Sequence, residues 1–214
     1  MRIPVFKTYS RGEFLADAWL HIVGVTAAGA GAVVLLAIAL SQNSLRLGVA
    51  LTVYALGLAA TFAFSAAYNL VQRPQLKAVL RRLDHSAIFV MIAGTYTPFA
   101  LVSLGGSYGY GLLAFVWAVA AFGVALKLFL PHRFENIAVL FYLAQGWAVL
   151  TAINPLIEAL PSTAMVLLLA GGVIYTGGVA FHMWEKLRYH NVIWHSCVLA
   201  AACCHYAAVV DAGA

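Results

Sequence analysis

Charge is what this chain has least of: of 214 residues, 9% are Asp, Glu, Lys or Arg, and seven of those are acidic. A soluble domain carries about 25% charged and about 45–50% apolar residues. Here 64% are hydrophobic and the mean hydropathy is +0.94. The balance excludes a water-soluble fold and places the chain in lipid. Cysteine is scarce too. Cys197, Cys203 and Cys204 all fall in the last apolar stretch, an odd number on one helix that offers no disulfide framework. They are expected to pack as small hydrophobes. A secretory leader is not expected either, because the first apolar stretch, Trp19 to Leu40, is longer than the roughly 7–15 residues of such a segment. No low-complexity tract or convincing internal repeat is present, and the length leaves no room for a separate soluble domain.

What is present is a series of apolar runs at approximately 18–40, 47–71, 84–103, 109–130, 135–153, 162–183 and 191–211. Each is close to the roughly 20 residues that cross about 30 Å of hydrocarbon. Hydrocarbon offers no partner for backbone N–H and C=O groups, and these runs lack the alternation of a barrel strand, so helix is the required state. The expectation is all-α: one integral membrane domain over 1–214, a bundle of seven transmembrane helices. The breaks fall at Ser41-Gln42-Asn43-Ser44, Gln72-Arg73-Pro74, Gly105-Gly106-Ser107, Pro131-His132-Arg133, Asn154-Pro155 with Pro161, and Glu185-Lys186-Leu187-Arg188.

The net charge of +5 and pI of about 9.2 raise the question of a nucleic-acid partner. The basic residues lie between apolar runs rather than in a patch, so no nucleic acid is expected and membrane lipids are the expected partners. Their distribution reports topology. Arg2, Lys7, Arg11, Arg73, Lys77, Arg81, Arg82, Lys127, Arg133, Lys186 and Arg188 fall on one side, with Arg46 alone on the other. The positive-inside rule then puts the N-terminus in the cytoplasm and the C-terminus outside. Segment 73–82 reads as a basic anchor at that surface, with a short interfacial helix as the alternative.

An ionisable group at mid-bilayer costs roughly 2.5–3.5 kcal/mol on insertion scales, so each such residue calls for a partner or a role. Glu13, Asp17 and His21 follow an i, i+4, i+8 spacing and share one helical stripe. Asp84 opens the third run, where it would cap a helix N-terminus or face the interior as a base, with His85 beside it. Ser65, Tyr68 and Asn69 at the end of the second run, and Asn191, Trp194 and His195 at the start of the seventh, reach the same membrane depth as Asp84. A polar cavity at the cytoplasmic end follows. His190 and His195 differ by about 140° around a helix, so they cannot share an ion, and His205 lies about 15 Å beyond His195. His132 and His182 are expected near headgroups.

The motifs Glu13-x3-Asp17-x3-His21-x2-Gly24, Ser65-x2-Tyr68, the run DHSAIFVMIAGTYTP from Asp84 to Pro98, Pro131-His132-Arg133-Phe134, Ile193-Trp194-His195 and Cys204-His205 occur in one order along nearly the whole chain. In this the sequence resembles the bacterial hemolysin III family, the prokaryotic branch of the progestin and adipoQ receptor group that includes the adiponectin receptors. The resemblance implies seven helices with the N-terminus inside. From the adiponectin receptors it implies zinc held by three histidines, one on the second helix and two on the seventh, with an aspartate nearby that Asp84 matches. Here Asn69 and Asn191 stand at two of the ligand positions, and His195 remains. Amide oxygen is a poor zinc ligand beside imidazole. Three readings stay open: zinc held weakly with help from Asp84, a different metal, or a metal-free hydrogen-bonded cluster, which the loss of imidazole favours.

By resemblance, the function expected is membrane lipid homeostasis or sensing. The alternative is a zinc-dependent intramembrane hydrolase of a lipid amide, with Asp84 accepting a proton and Ser65 orienting the site. A cytolysin, as the family name suggests, is a third reading, for which the sequence offers no long amphipathic insertion segment. A proton channel is disfavoured, since no chain of ionisable residues crosses the bilayer.

Overall fold

The computed structural model describes residues 9–130 and 135–213. The order is α1 (Arg11–Ser41), α2 (Leu45–Leu70), α3 (Pro74–Pro98), α4 (Gly106–Phe129), α5 (Glu135–Gly146), α6 (Ile153–Ala159), α7 (Ser162–Met183) and α8 (His190–Asp211). A π-helical turn at Phe99–Leu104 extends α3, and a tight 3-10 stretch at Trp147–Ala152 joins α5 to α6. Seven helical stretches among the described residues are long and apolar enough to cross a membrane, with α3 and its π turn forming one and α5 to α6 another. The protein is a seven-helix membrane bundle. Pro131, His132, Arg133 and Phe134, with Arg2 and Lys7, lie outside the described residues.

Helices α1 to α4 pack as successive neighbours, α7 packs on α8, and α8 returns against α1. Tyr206 of α8 secures that last contact, donating its hydroxyl to the Gly31 carbonyl at 3.2 Å. Hydrophobic sorting does not distinguish inside from outside in lipid, so small residues and hydrogen bonds decide which faces meet. Gly178 illustrates the first: a Cβ there would stand 2.8 Å from the Cβ of Cys197. Gln145 illustrates the second. Its buried amide donates to the carbonyls of Phe89 and Val116 at 3.1 and 3.0 Å, tying α5 to α3 and α4.

Three boundaries differ from the sequence expectation. Helix α1 begins at Arg11, earlier than 18, because Ser10 and Glu13 form a reciprocal capping box: the Ser10 hydroxyl accepts from the Glu13 N–H at 3.3 Å, and the Glu13 carboxylate accepts from the Ser10 N–H at 3.0 Å. Helix α3 begins at Pro74, whose ring favours the first helical position, so segment 73–82 is the opening of α3 rather than a separate interfacial helix. Asp84 is therefore well inside the helix and caps nothing. The fifth crossing does not break at Asn154-Pro155. Pro155 sits in the first turn of α6, where its missing N–H has no partner to lose.

The irregularity falls instead at 147–152, where Tyr96 satisfies the freed backbone. Its hydroxyl donates to the Gly146 carbonyl at 2.6 Å and accepts from the Val149 N–H at 2.7 Å. Pro98 does the equivalent to α3: lacking a donor, it precedes the π turn, which closes with the Gly105 N–H on the Ala100 carbonyl at 3.1 Å. Gly105 and Gly106, at φ 58° and 56°, then reverse the chain in a conformation that favours glycine.

Candidate polar site at one end of the bundle

The 3.6-residue period of α1 sends Asp17 and His21 to the interior, where they are 7% and 4% exposed. Because α8 packs on α1, its first turns face the same point. The Asp17 Oδ1 atom lies 2.7 Å from His195 Nδ1, and Asn191 donates its amide to Asp17 Oδ2 at 3.1 Å. The same amide nitrogen lies 3.3 Å from Asn69 Oδ1, which brings in α2. His21 Nε2 stands 3.4 Å from Asp17 Oδ2 but is not aligned for a hydrogen bond, so this buried nitrogen has no hydrogen-bond partner among the described residues. The rings of His21 and His195 are 4.5 Å apart between centroids. A carboxylate desolvated to this degree needs compensation, and the His195 imidazole and the Asn191 amide supply hydrogen bonds to it.

One turn toward the surface, Glu13 Oε1 accepts from the Tyr189 N–H at 3.0 Å and pins the turn before α8. Tyr189 holds the left-handed conformation there, at φ 60°. Tyr9 leans on the His190 ring at a centroid distance of 5.9 Å. Burial, the largest influence, pushes its phenol up to about 12, so Tyr9 stays protonated at neutral pH.

Asp84 and Ser65 are on the other side of His195. A cavity of about 50 Å³ is lined by His21, Ser65, Asp84, Trp194 and His195. Asp84 and Trp194 also line a second cavity of about 180 Å³ between α3, α5, α7 and α8, so Asp84 stands at the junction of the two. The wall of the larger cavity is mostly apolar, Ile88, Met91, Leu143 and Val179 among it, with His85, Lys127, His182 and His205 among its polar residues. The His85 ring is edge-on to Tyr68 at 6.4 Å, and the Tyr68 ring carries the Lys77 ammonium at 5.1 Å.

The structure thus gathers Asp17, His21, Asn69, Asn191 and His195 in one cluster, and Ser65, Asp84 and His85 in the cavities beside it. Tyr68 and His190 lie at the margin. His182 differs from its expected place at headgroups: it packs against Trp194, 5.1 Å between centroids, and lines the large cavity. Sequence reasoning counted Lys127 only as a topological charge. It is 1% exposed and faces the same cavity; its signal was a cation set two residues inside the end of an apolar helix.

The zinc set implied by family resemblance does not fit this chain. Asn191 turns its amide nitrogen toward both Asp17 and Asn69, and an amide N–H is a donor, not a ligand. A different trio has the donor chemistry: one oxygen of Asp17 and one ring nitrogen each of His21 and His195 lie within 4.8 Å of one another.

Fold and cluster together define a polytopic helical membrane protein with a buried carboxylate–histidine centre at one end of its bundle. The chain belongs to the haemolysin-III-related family, whose model matches residues 13–206. It is 37% identical over 190 residues to Hemolysin-3 of Bacillus cereus, covering 89% of this chain and 87% of that one. The Hemolysin-3 homolog of Bacillus subtilis is 35% identical, with 89% of each chain covered. Monocyte to macrophage differentiation factor of Homo sapiens is similar at 29% identity over 167 residues, 73% of this chain and 67% of its own.

Proposed function

We propose that the protein senses or adjusts membrane lipid state, with an acyl chain of a membrane lipid entering the large cavity and its polar end meeting His85 and Lys127. The observation that carries this reading is the cavity itself: about 180 Å³, with a mostly apolar wall that also holds His85 and Lys127. The described parts of α5 and α7, which flank the cavity, touch only sparsely, which supports lipid entry between them. The eleven-to-one basic asymmetry supports placing the polar end at the cytoplasmic leaflet of a bacterial inner membrane.

Deleting the gene tests this. The sensing reading predicts altered fatty-acid composition or a lost fluidity response, restored equally by wild type and by a folded Asp84→Ala variant. Normal lipids after deletion would refute it.

The Asp17, His21 and His195 group favours a second reading, hydrolysis of a lipid amide. A metal ion held there would supply Lewis acidity toward a carbonyl. In this reading Asp84 accepts a proton and Ser65, on the wall of the same small cavity, orients the site. Failure of Asp84→Ala to restore the lipid response selects hydrolysis over sensing.

A further inference from the structure

We propose that His205 and Tyr175 form a second polar station on the wall of the large cavity, one that recognises a hydroxyl group carried partway along an acyl chain. On the acyl-chain reading, upon which this rests, the ligand class narrows to hydroxylated fatty acyl chains. Other donors on that wall are already engaged. The Thr61 and Thr95 hydroxyls donate to the Gly57 and Met91 carbonyls of their own helices, each at 2.8 Å. The Tyr96 hydroxyl is taken up by Gly146 and Val149, and the Trp147 indole donates to the Thr176 hydroxyl at 3.0 Å.

His205 Nε2 lies 3.2 Å from the Leu168 carbonyl oxygen. A carbonyl only accepts, so the proton sits on Nε2 and the neutral ring keeps a lone pair on Nδ1. A Cβ on Gly171 would collide with the Cδ2 and Nε2 atoms of His205, so that edge of the ring is packed on α7 and Nδ1 lies on the edge turned away from it. Among the described residues Nδ1 has no hydrogen-bond partner, and neither has the Tyr175 hydroxyl. The two rings are 5.5 Å apart between centroids, and both line the cavity. An open acceptor beside an open donor is costly in hydrocarbon. One hydroxyl on a ligand answers both: its O–H donates to Nδ1 and its oxygen accepts from Tyr175. A plain chain leaves both unmet, and a site of that kind discriminates against it.

Depth fixes where the hydroxyl must stand. His85 and Tyr96 both line the cavity and are eleven residues apart on α3, about 16 Å along the helix. That is roughly half of the ~30 Å hydrocarbon thickness. Tyr96 and His205 also line a further cavity of about 60 Å³, walled by Phe99, Leu112 and Met165 among others, so apolar space continues past the station. The fitting ligand has its polar end at His85 and Lys127, a hydroxyl in mid-chain, and an apolar tail beyond.

The test offers the full-length protein in detergent equal amounts of ricinoleic and oleic acids, which differ by one mid-chain hydroxyl, and reads the bound species by native mass spectrometry. Wild type should favour ricinoleic acid about tenfold. Tyr175→Phe removes a hydroxyl that holds nothing in the fold, so it should melt as wild type does and lose most of that preference. His205→Phe, which removes the lone pair, should lose it too. Comparing variants with wild type cancels the unequal partition of the two acids into micelles. An oleic acid hydroxylated next to its carboxyl should bind no better than oleic acid itself. Equal capture of ricinoleic and oleic acids by wild type would overturn the proposal and leave the acyl-chain reading standing, with water serving the two open groups. A preference that survives both substitutions would overturn it as well. Capture of neither acid would overturn the acyl-chain reading along with it. The wild-type comparison decides even where a variant fails to fold.

Discussion

Asn191 and Asp17 are joined across 174 residues of chain by a 3.1 Å hydrogen bond, and the amide that makes it also reaches Asn69. Through this one side chain the start of α8 is tied to both α1 and α2. Where family resemblance implies histidines on α2 and α8, this chain has amides, of which Asn191 donates to a carboxylate on α1 and Asn69 accepts from Asn191.

Removing that carboxylate should loosen the bundle end. Asp17→Ala leaves the Asn191 amide and the His195 ring nitrogen without their buried acceptor. Each such orphan costs about 1–3 kcal/mol. A lower thermal midpoint in detergent is expected, with a smaller drop for Asp17→Asn, which keeps one acceptor oxygen.

The stripe Glu13, Asp17, His21 was legible from spacing alone, and the common depth of Asn69, Asn191 and His195 was legible from the boundaries of the apolar runs. Their junction at Asp17 was not, because it depends on α8 packing against α1, and in lipid no hydrophobic pattern declares which helices are neighbours. Of the two roles open to Asp84, the cap fails for a related reason. Hydropathy marks where hydrocarbon begins, whereas α3 begins earlier at Pro74, in a polar stretch that hydropathy cannot assign.

Tyr96 should matter as much as any core residue. Tyr96→Phe keeps the ring but strips the Gly146 carbonyl and the Val149 N–H of their shared partner at the 3-10 stretch. Thermal unfolding should report a loss on the order of 1–3 kcal/mol per orphaned group.

Close packing of α7 on α8 gives a paired expectation. A methyl at Gly178 would meet the Cys197 Cβ at 2.8 Å and the Trp194 ring at 3.1 Å, whereas one at Gly177 meets nothing within 4 Å. Gly178→Ala should destabilise, and Gly177→Ala should be neutral or mildly stabilising, since alanine favours helix by about 1 kcal/mol over glycine. Parallel melting curves would check both.

Orientation is open to a direct check. With eleven of the twelve Lys and Arg residues on one side, a fluorescent protein fused at the N-terminus should glow in the cytoplasm, and alkaline phosphatase fused at the C-terminus should be active outside.

The reading of the protein as one that holds membrane lipid is tested most directly by native mass spectrometry of the purified chain beside a Gly172→Leu variant. A Cβ at Gly172 would meet only the Trp147 ring at 3.7 Å, so a larger side chain can enter the cavity without breaking the fold. Lipid retained by wild type and lost from a variant with an unchanged melting temperature is the predicted result. A wild type that carries no lipid, or a variant that carries as much, would contradict the account.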